Sequence, residues 1–89
     1  MNLIISQHAI DRAFERFKMD ASALKFFAKK AINQGIDILE SPLKDSYIEK
    51  SKKHNGSKAF LLADKIFVFQ QNKLITVMPI QFLAGQYVA

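Results

Sequence analysis

The apolar residues of this chain change their period once, and that change limits the folds it can reach. Up to residue 35 they recur at helical spacing; beyond it they fall in short runs separated by turn signals. Ser6 is suited to cap a first helix, because its hydroxyl can accept from an orphan N–H of the first turn. Ile10, Ala13, Phe14 and Phe17 then follow at the spacing of one helical face. Lys18 suits the negative end of that helix. Asp20 starts a second helix with an apolar stripe of Leu24, Phe27, Ala28, Ala31 and Ile32, and Gly35 stops it. Phe26 lies off that stripe, facing a groove or a partner or else sitting at the edge of the core, which is the expected place.

The remainder reads as sheet. Ile36 to Glu40 is a short strand or a helix tail, broken by Ser41-Pro42. Tyr47 to Lys53 and Lys58 to Ala63 flank Asn55-Gly56, a strong hairpin signal because both turn positions favour a positive φ. Ile66 to Gln70 and Leu74 to Met78 follow, separated by Gln71-Asn72-Lys73, and Pro79 closes the last strand because it lacks a ladder donor. Ile66-Phe67-Val68-Phe69 is apolar on both parities, so this strand is expected to be central, covered on both faces or at an interface. Gln81 to Ala89 is a tail that docks or frays. The expected architecture is α+β: two N-terminal helices packed on a three- to four-stranded antiparallel sheet, forming one domain over residues 1–89.

Size and composition exclude several function classes. A chain of 89 residues has no room for a dinucleotide fold plus a substrate domain, nor for a repeat array. The absence of Cys excludes disulfides, thiolate zinc sites and a Cys nucleophile. The two His lie 46 positions apart, so no metal and no cofactor is expected. No apolar run approaches the ~20 residues of a membrane span, and the N-terminus lacks a signal-peptide pattern. The protein is therefore expected in the cytoplasm, or outside the cell by a route without a cleaved signal. No Walker loop, GxGxxG, HExxH, EF-hand or RNP signature occurs.

Thirteen Lys and Arg against eight Asp and Glu give a net charge of +5 at pH 7. Such a balance favours polyanionic partners, and a Lys-rich solvated surface accounts for it equally well. The two Arg stand one helical turn apart at Arg12 and Arg16, in line with His8. At 100° per residue these three and Glu15 form one strip opposite the apolar stripe. A guanidinium fork can hold two phosphate oxygens at once, so this strip can gather an anion. A neutral His8 there can act as a general base towards a ribose 2′-OH. Glu15 can orient a guanidinium or serve as the other acid or base. The bland alternative is an ordinary amphipathic surface helix with a solvated polar face. Lys50, Lys52, Lys53 and Lys58 flank the expected hairpin and can hold RNA backbone or simply be solvated; His54 reads as an exposed loop residue.

The segment Ser6-Gln7-His8-Ala9-Ile10-Asp11-Arg12-Ala13-Phe14-Glu15-Arg16 resembles the opening of small bacterial and phage proteins related to RelE/ParE-type toxins. That opening is a Ser or Thr, one residue, then His-Ala-x-x-Arg-x-x-x-Arg. These proteins sit in the wider barnase–EndoU–colicin–RelE group of ribonuclease toxins. The order of elements fits over about residues 2 to 80, and Leu74-Ile75-Thr76-Val77 is similar to the group's last-strand motif. The resemblance implies a small metal-independent ribonuclease toxin, cleaving RNA by 2′-OH attack and neutralised by an antitoxin or immunity protein. It implies His8, Arg12 and Thr76 as catalytic residues, with Arg16, Glu15, Lys58 and Lys53 holding substrate. Many relatives carry a Gly soon after the second Arg; Phe17-Lys18-Met19 stands there instead, so the turn between the helices is expected to differ. The alternatives are a non-catalytic module on the same fold that binds RNA, DNA or protein, and an interaction subunit whose 66–69 strand and C-terminal tail form an oligomer seam.

Overall fold

Ser6 ends one strand and begins the first helix, and the rest of the chain is arranged around that corner. The computed structural model describes residues 3–50 and 57–84. The elements run β1 (Ile4–Ile5), α1 (Gln7–Phe17), α2 (Ala21–Gln34) and β2 (Ile36–Asp37). A 3-10 turn (Ile38–Glu40), α3 (Lys44–Lys50), β3 (Ser57–Leu62), β4 (Lys65–Gln70), β5 (Lys73–Pro79) and α4 (Gln81–Ala84) complete the order. The caps are those expected. Ser6 Oγ accepts from the Ala9 N–H at 3.0 Å, and Asp20 Oδ1 accepts from the Ala23 N–H at 2.8 Å.

The sheet has five strands in the order β1-β5-β4-β3-β2. It is mixed: β1 runs parallel to β5, and the other pairs are antiparallel. The expected antiparallel sheet therefore gains a parallel edge. A two-residue strand with a non-local partner leaves no periodic trace in the sequence. A second correction concerns residues 44–50, where a strand was expected from Tyr47 onward and a helix forms. Leu43 and Tyr47 are four apart, the Tyr47 N–H donates to the Leu43 carbonyl at 2.9 Å, and both side chains join one cluster. That pair is a helical signal of one turn, too short to outweigh the β-prone Tyr47-Ile48 dipeptide. The Asn55-Gly56 turn and Lys53 lie outside the described residues.

Strand β4 is central, as its doubly apolar sequence required. Phe67 and Phe69 face a core with Ala9, Ala13, Leu24, Ala28, Ala31, Leu74 and Val77. Ile66 and Val68 face a second core with Ile38, Tyr47 and Ala59. So α1 and α2 cover one face, and the 3-10 turn with α3 covers the other. The tail docks as far as α4, which contacts α3. The described part of the proposed oligomer seam is thus occupied from within.

Two backbone positions control how the helices meet the sheet. Lys18 sits at φ 56, in the left-handed region that favours Gly. Gly35 has an ordinary φ of −74, yet an added Cβ would stand 2.5 Å from the Ala31 carbonyl oxygen and 2.8 Å from that of Leu61. Its reason is close backbone approach. Gly35→Ala should lower stability by about 1–3 kcal/mol in urea unfolding, since neither obstructing atom can rotate away. Lys18→Gly should raise stability, by up to about 1 kcal/mol, by removing the left-handed strain. Equal midpoints for the two variants would contradict both assignments.

Candidate functional site

Helix α1 places the motif residues at the edge of the sheet. β1 is only two residues long, so it pairs with β5 at Lys73 and Leu74 and no further. Beyond that point α1 runs along the open edge of β5, where Ser6 Oγ lies 3.4 Å from the Ile75 carbonyl oxygen. Arg16 Nη1 donates to the Val77 carbonyl at 2.8 Å. The Arg16 guanidinium also lies over the Phe82 ring of α4, at 4.6 Å from its centroid. Two of the motif's polar residues are thus engaged in closing a strand edge.

The rest of the strip is more open. Arg12 Nη1 donates to Glu15 Oε1 at 2.9 Å in an exposed i,i+3 pair. His8 is exposed one turn before Arg12. Desolvation lowers the Arg16 pKa below the usual guanidinium value, the Arg12 charge lowers it further, and Glu15 pulls it back up. Arg16 therefore stands within electrostatic reach of both Arg12 and Glu15. An anion placed between the two guanidinium groups would relieve the repulsion. On α1 as a whole Asp11 and Glu15 balance the two Arg, so the attraction is local to that pair.

Thr76 is not brought to this strip. The β4–β5 register pairs Val68 with Thr76 and Phe69 with Leu74, so β5 carries one extra residue at Ile75. Directly paired residues share a face, and Val68 belongs to the core opposite α1. The bulge thus turns both Ile75 and Thr76 away from the helices, whereas Leu74 and Val77 point toward them. The same shift swings the Val77 carbonyl to the edge where Arg16 meets it. Lys58 pairs with Phe69, on the α1 side of the sheet, but β3 lies two strands from β5, roughly 10 Å. The site residues the resemblance implies are therefore grouped as His8, Arg12, Glu15 and Arg16, with Thr76 and Lys58 apart.

Two partners had no sequence signal: the Val77 carbonyl, freed by a bulge, and Phe82, in a tail without periodicity. Among the described residues, no group of three or more His, Cys, Asp or Glu is placed to hold a metal ion, and no helix is long and apolar enough to cross a membrane.

The two Arg should separate in a stability assay. Arg16→Ala loses a charged donor to a strand carbonyl and the contact with Phe82, and should cost about 1.5–3 kcal/mol. Arg12→Ala removes one exposed pair and should cost less than about 1 kcal/mol. Urea unfolding of both variants measures the difference, and an Arg12 effect as large as that of Arg16 would refute the edge-closing role. Comparison of the chain with protein-family models, with curated proteins and with solved structures found no match.

Proposed function

We propose that the chain is an RNA-binding domain that seats a backbone phosphate at Arg12 and Arg16, with His8 and Glu15 at the rim. The observation that supports this reading is geometric: Arg12, bonded to Glu15 at 2.9 Å, and Arg16, held by the Val77 carbonyl at 2.8 Å, stand one turn apart on α1. A bound phosphate would take the place of Glu15 on Arg12, while Arg16 keeps its bond to the Val77 carbonyl and supplies charge and position. Arg can do both because its planar group carries five donors in a fixed fork.

A ribonuclease toxin with an antitoxin partner is the second reading, and the exposure of His8 and Glu15 on one strip favours it. With Thr76 on the far face, the proton acceptor and donor would be His8 and Glu15 alone. One would take the proton of the ribose 2′-OH, whose oxygen then bonds to the phosphorus. The other would return a proton to the departing 5′-oxygen, leaving a 2′,3′-cyclic phosphate. Arg12 would stabilise the charge on the phosphorane.

One experiment decides between them. Labelled single-stranded RNA is titrated with the protein, and the same mixtures are run on a denaturing gel with chelator present. Binding should weaken with salt, and Arg12→Ala should weaken it by about tenfold, the scale of a lost charged contact. Intact RNA at saturation supports the binding module. Cyclic-phosphate ends that vanish in His8→Ala establish the nuclease, and no affinity for RNA removes both.

A further inference from the structure

The outward face of α2 is more basic than the motif strip on α1, and its side chains are exposed among the described residues. Leu24, Ala28 and Ala31 turn α2's inner face into the core. At 100° per residue, Ser22, Phe26, Lys29 and Asn33 lie within about 60° of one another on the opposite side. Lys25 and Lys30 flank that line. The helix carries these three Lys and no Asp or Glu. Among the described residues, none of the three Lys is hydrogen-bonded or ion-paired. Phe26 is 61% exposed in their midst, although the pattern placed it at the core edge. Among the described residues its ring contact is edge-on with Phe27, at 5.2 Å between centroids and 80° between planes.

We infer that this face of α2 is a second RNA contact, on which Lys25, Lys29 and Lys30 follow the phosphate backbone and Phe26 stacks on an unpaired base. The inference rests on the RNA-binding reading and extends it to a separate surface. The occupant follows from charge and shape together. Three unpaired cations suit a partner with repeated negative charge, and the exposed Phe26 ring among them suits a flat apolar group between those charges. Single-stranded RNA supplies both at short intervals. An anionic membrane supplies the charge, but a surface-bound helix buries one broad apolar face in the lipid, whereas Leu24, Ala28 and Ala31 of α2 are in the core and its exposed Phe26, Phe27 and Ile32 point about 100° or more apart around the helix.

The test is a salt titration of binding to labelled single-stranded oligouridylate, read by fluorescence anisotropy, with circular dichroism to confirm that each variant is folded. The double variant Lys25→Glu with Lys29→Glu should weaken binding at least tenfold, and the slope of log affinity on log salt should become shallower by about 1.4 for two lost phosphates. Phe26→Ala should weaken binding about tenfold, the scale of one lost base stack, and leave the salt slope unchanged. Phe26→Leu should match Phe26→Ala, because an aliphatic side chain fills space without stacking. A Phe26→Leu variant with the parent affinity would overturn the stacking role. If the α2 variants bind as the parent does while Arg12→Ala is weakened, the α2 surface falls and the α1 reading stands. If the parent protein binds no RNA, both fall. Co-sedimentation with phosphatidylserine-containing vesicles, without RNA binding, would assign the face to a membrane and overturn the inference.

Discussion

Four consecutive buried residues, Ile66 to Phe69, set the terms for everything else in this fold. A strand whose successive side chains are all apolar exposes two faces to water unless both are covered. With 89 residues the chain has few ways to build two covers. It uses α1 and α2 on one side, joined through small Ala9, Ala13, Ala28 and Ala31 that let the helices lie close to the sheet. On the other side a 3-10 turn and the short α3 suffice, because Tyr47 reaches the core and its hydroxyl bonds Ser57 Oγ at 3.1 Å. An aromatic side chain with a polar tip covers more area than a helix of seven residues otherwise could.

The bulge in β5 then decides what the edge can do. Without it, Thr76 would share the α1 side with Leu74, and the Val77 carbonyl would point toward β4 as a ladder acceptor. With it, parity reverses beyond Ile75, so a hydroxyl leaves the strip and a carbonyl joins it. Arg16 answers that carbonyl, and the helix is anchored where β1 has already ended. The same side chain is thereby held half-buried beside Arg12. Its charge is kept in place by a structural bond, which would lower the entropy lost on binding the proposed phosphate.

Much of this was legible in the sequence wherever a local rule acts alone. Ser6 and Asp20 cap helices because their side-chain oxygens have nothing nearer to bond than the first-turn N–H groups. The central strand was legible because two-sided burial writes itself into consecutive residues. What stayed hidden depends on distant partners. Ile4-Ile5 becomes a strand only because β5 lies alongside it, and Tyr47 turns helical because Leu43 shares its core. The strip on α1 was legible as a strip, since helical geometry alone aligns His8, Arg12 and Arg16. That Arg16 would face a carbonyl, and Thr76 the opposite core, rested on one inserted residue in a strand of ordinary β-branched pattern. Spacing arguments assume constant parity, and a bulge breaks that assumption without marking the sequence.

Charge placement gives the molecule a division of labour that the net value conceals. On α1 every guanidinium has a carboxylate within a turn, so that helix can orient an anion but attracts it weakly at a distance. On α2 three cations stand with no carboxylate on the helix, so their field extends outward and is limited mainly by salt. On the proposed reading, long-range attraction and short-range geometry fall to different helices over the same sheet face. Lys suits the first task, being a compact charge on a flexible stem, and Arg suits the second, with a planar fork that fixes direction. On the proposed reading, the segregation of the only two Arg onto α1 and of uncompensated Lys onto α2 matches the physical difference between drawing in a polyanion and holding one of its phosphates.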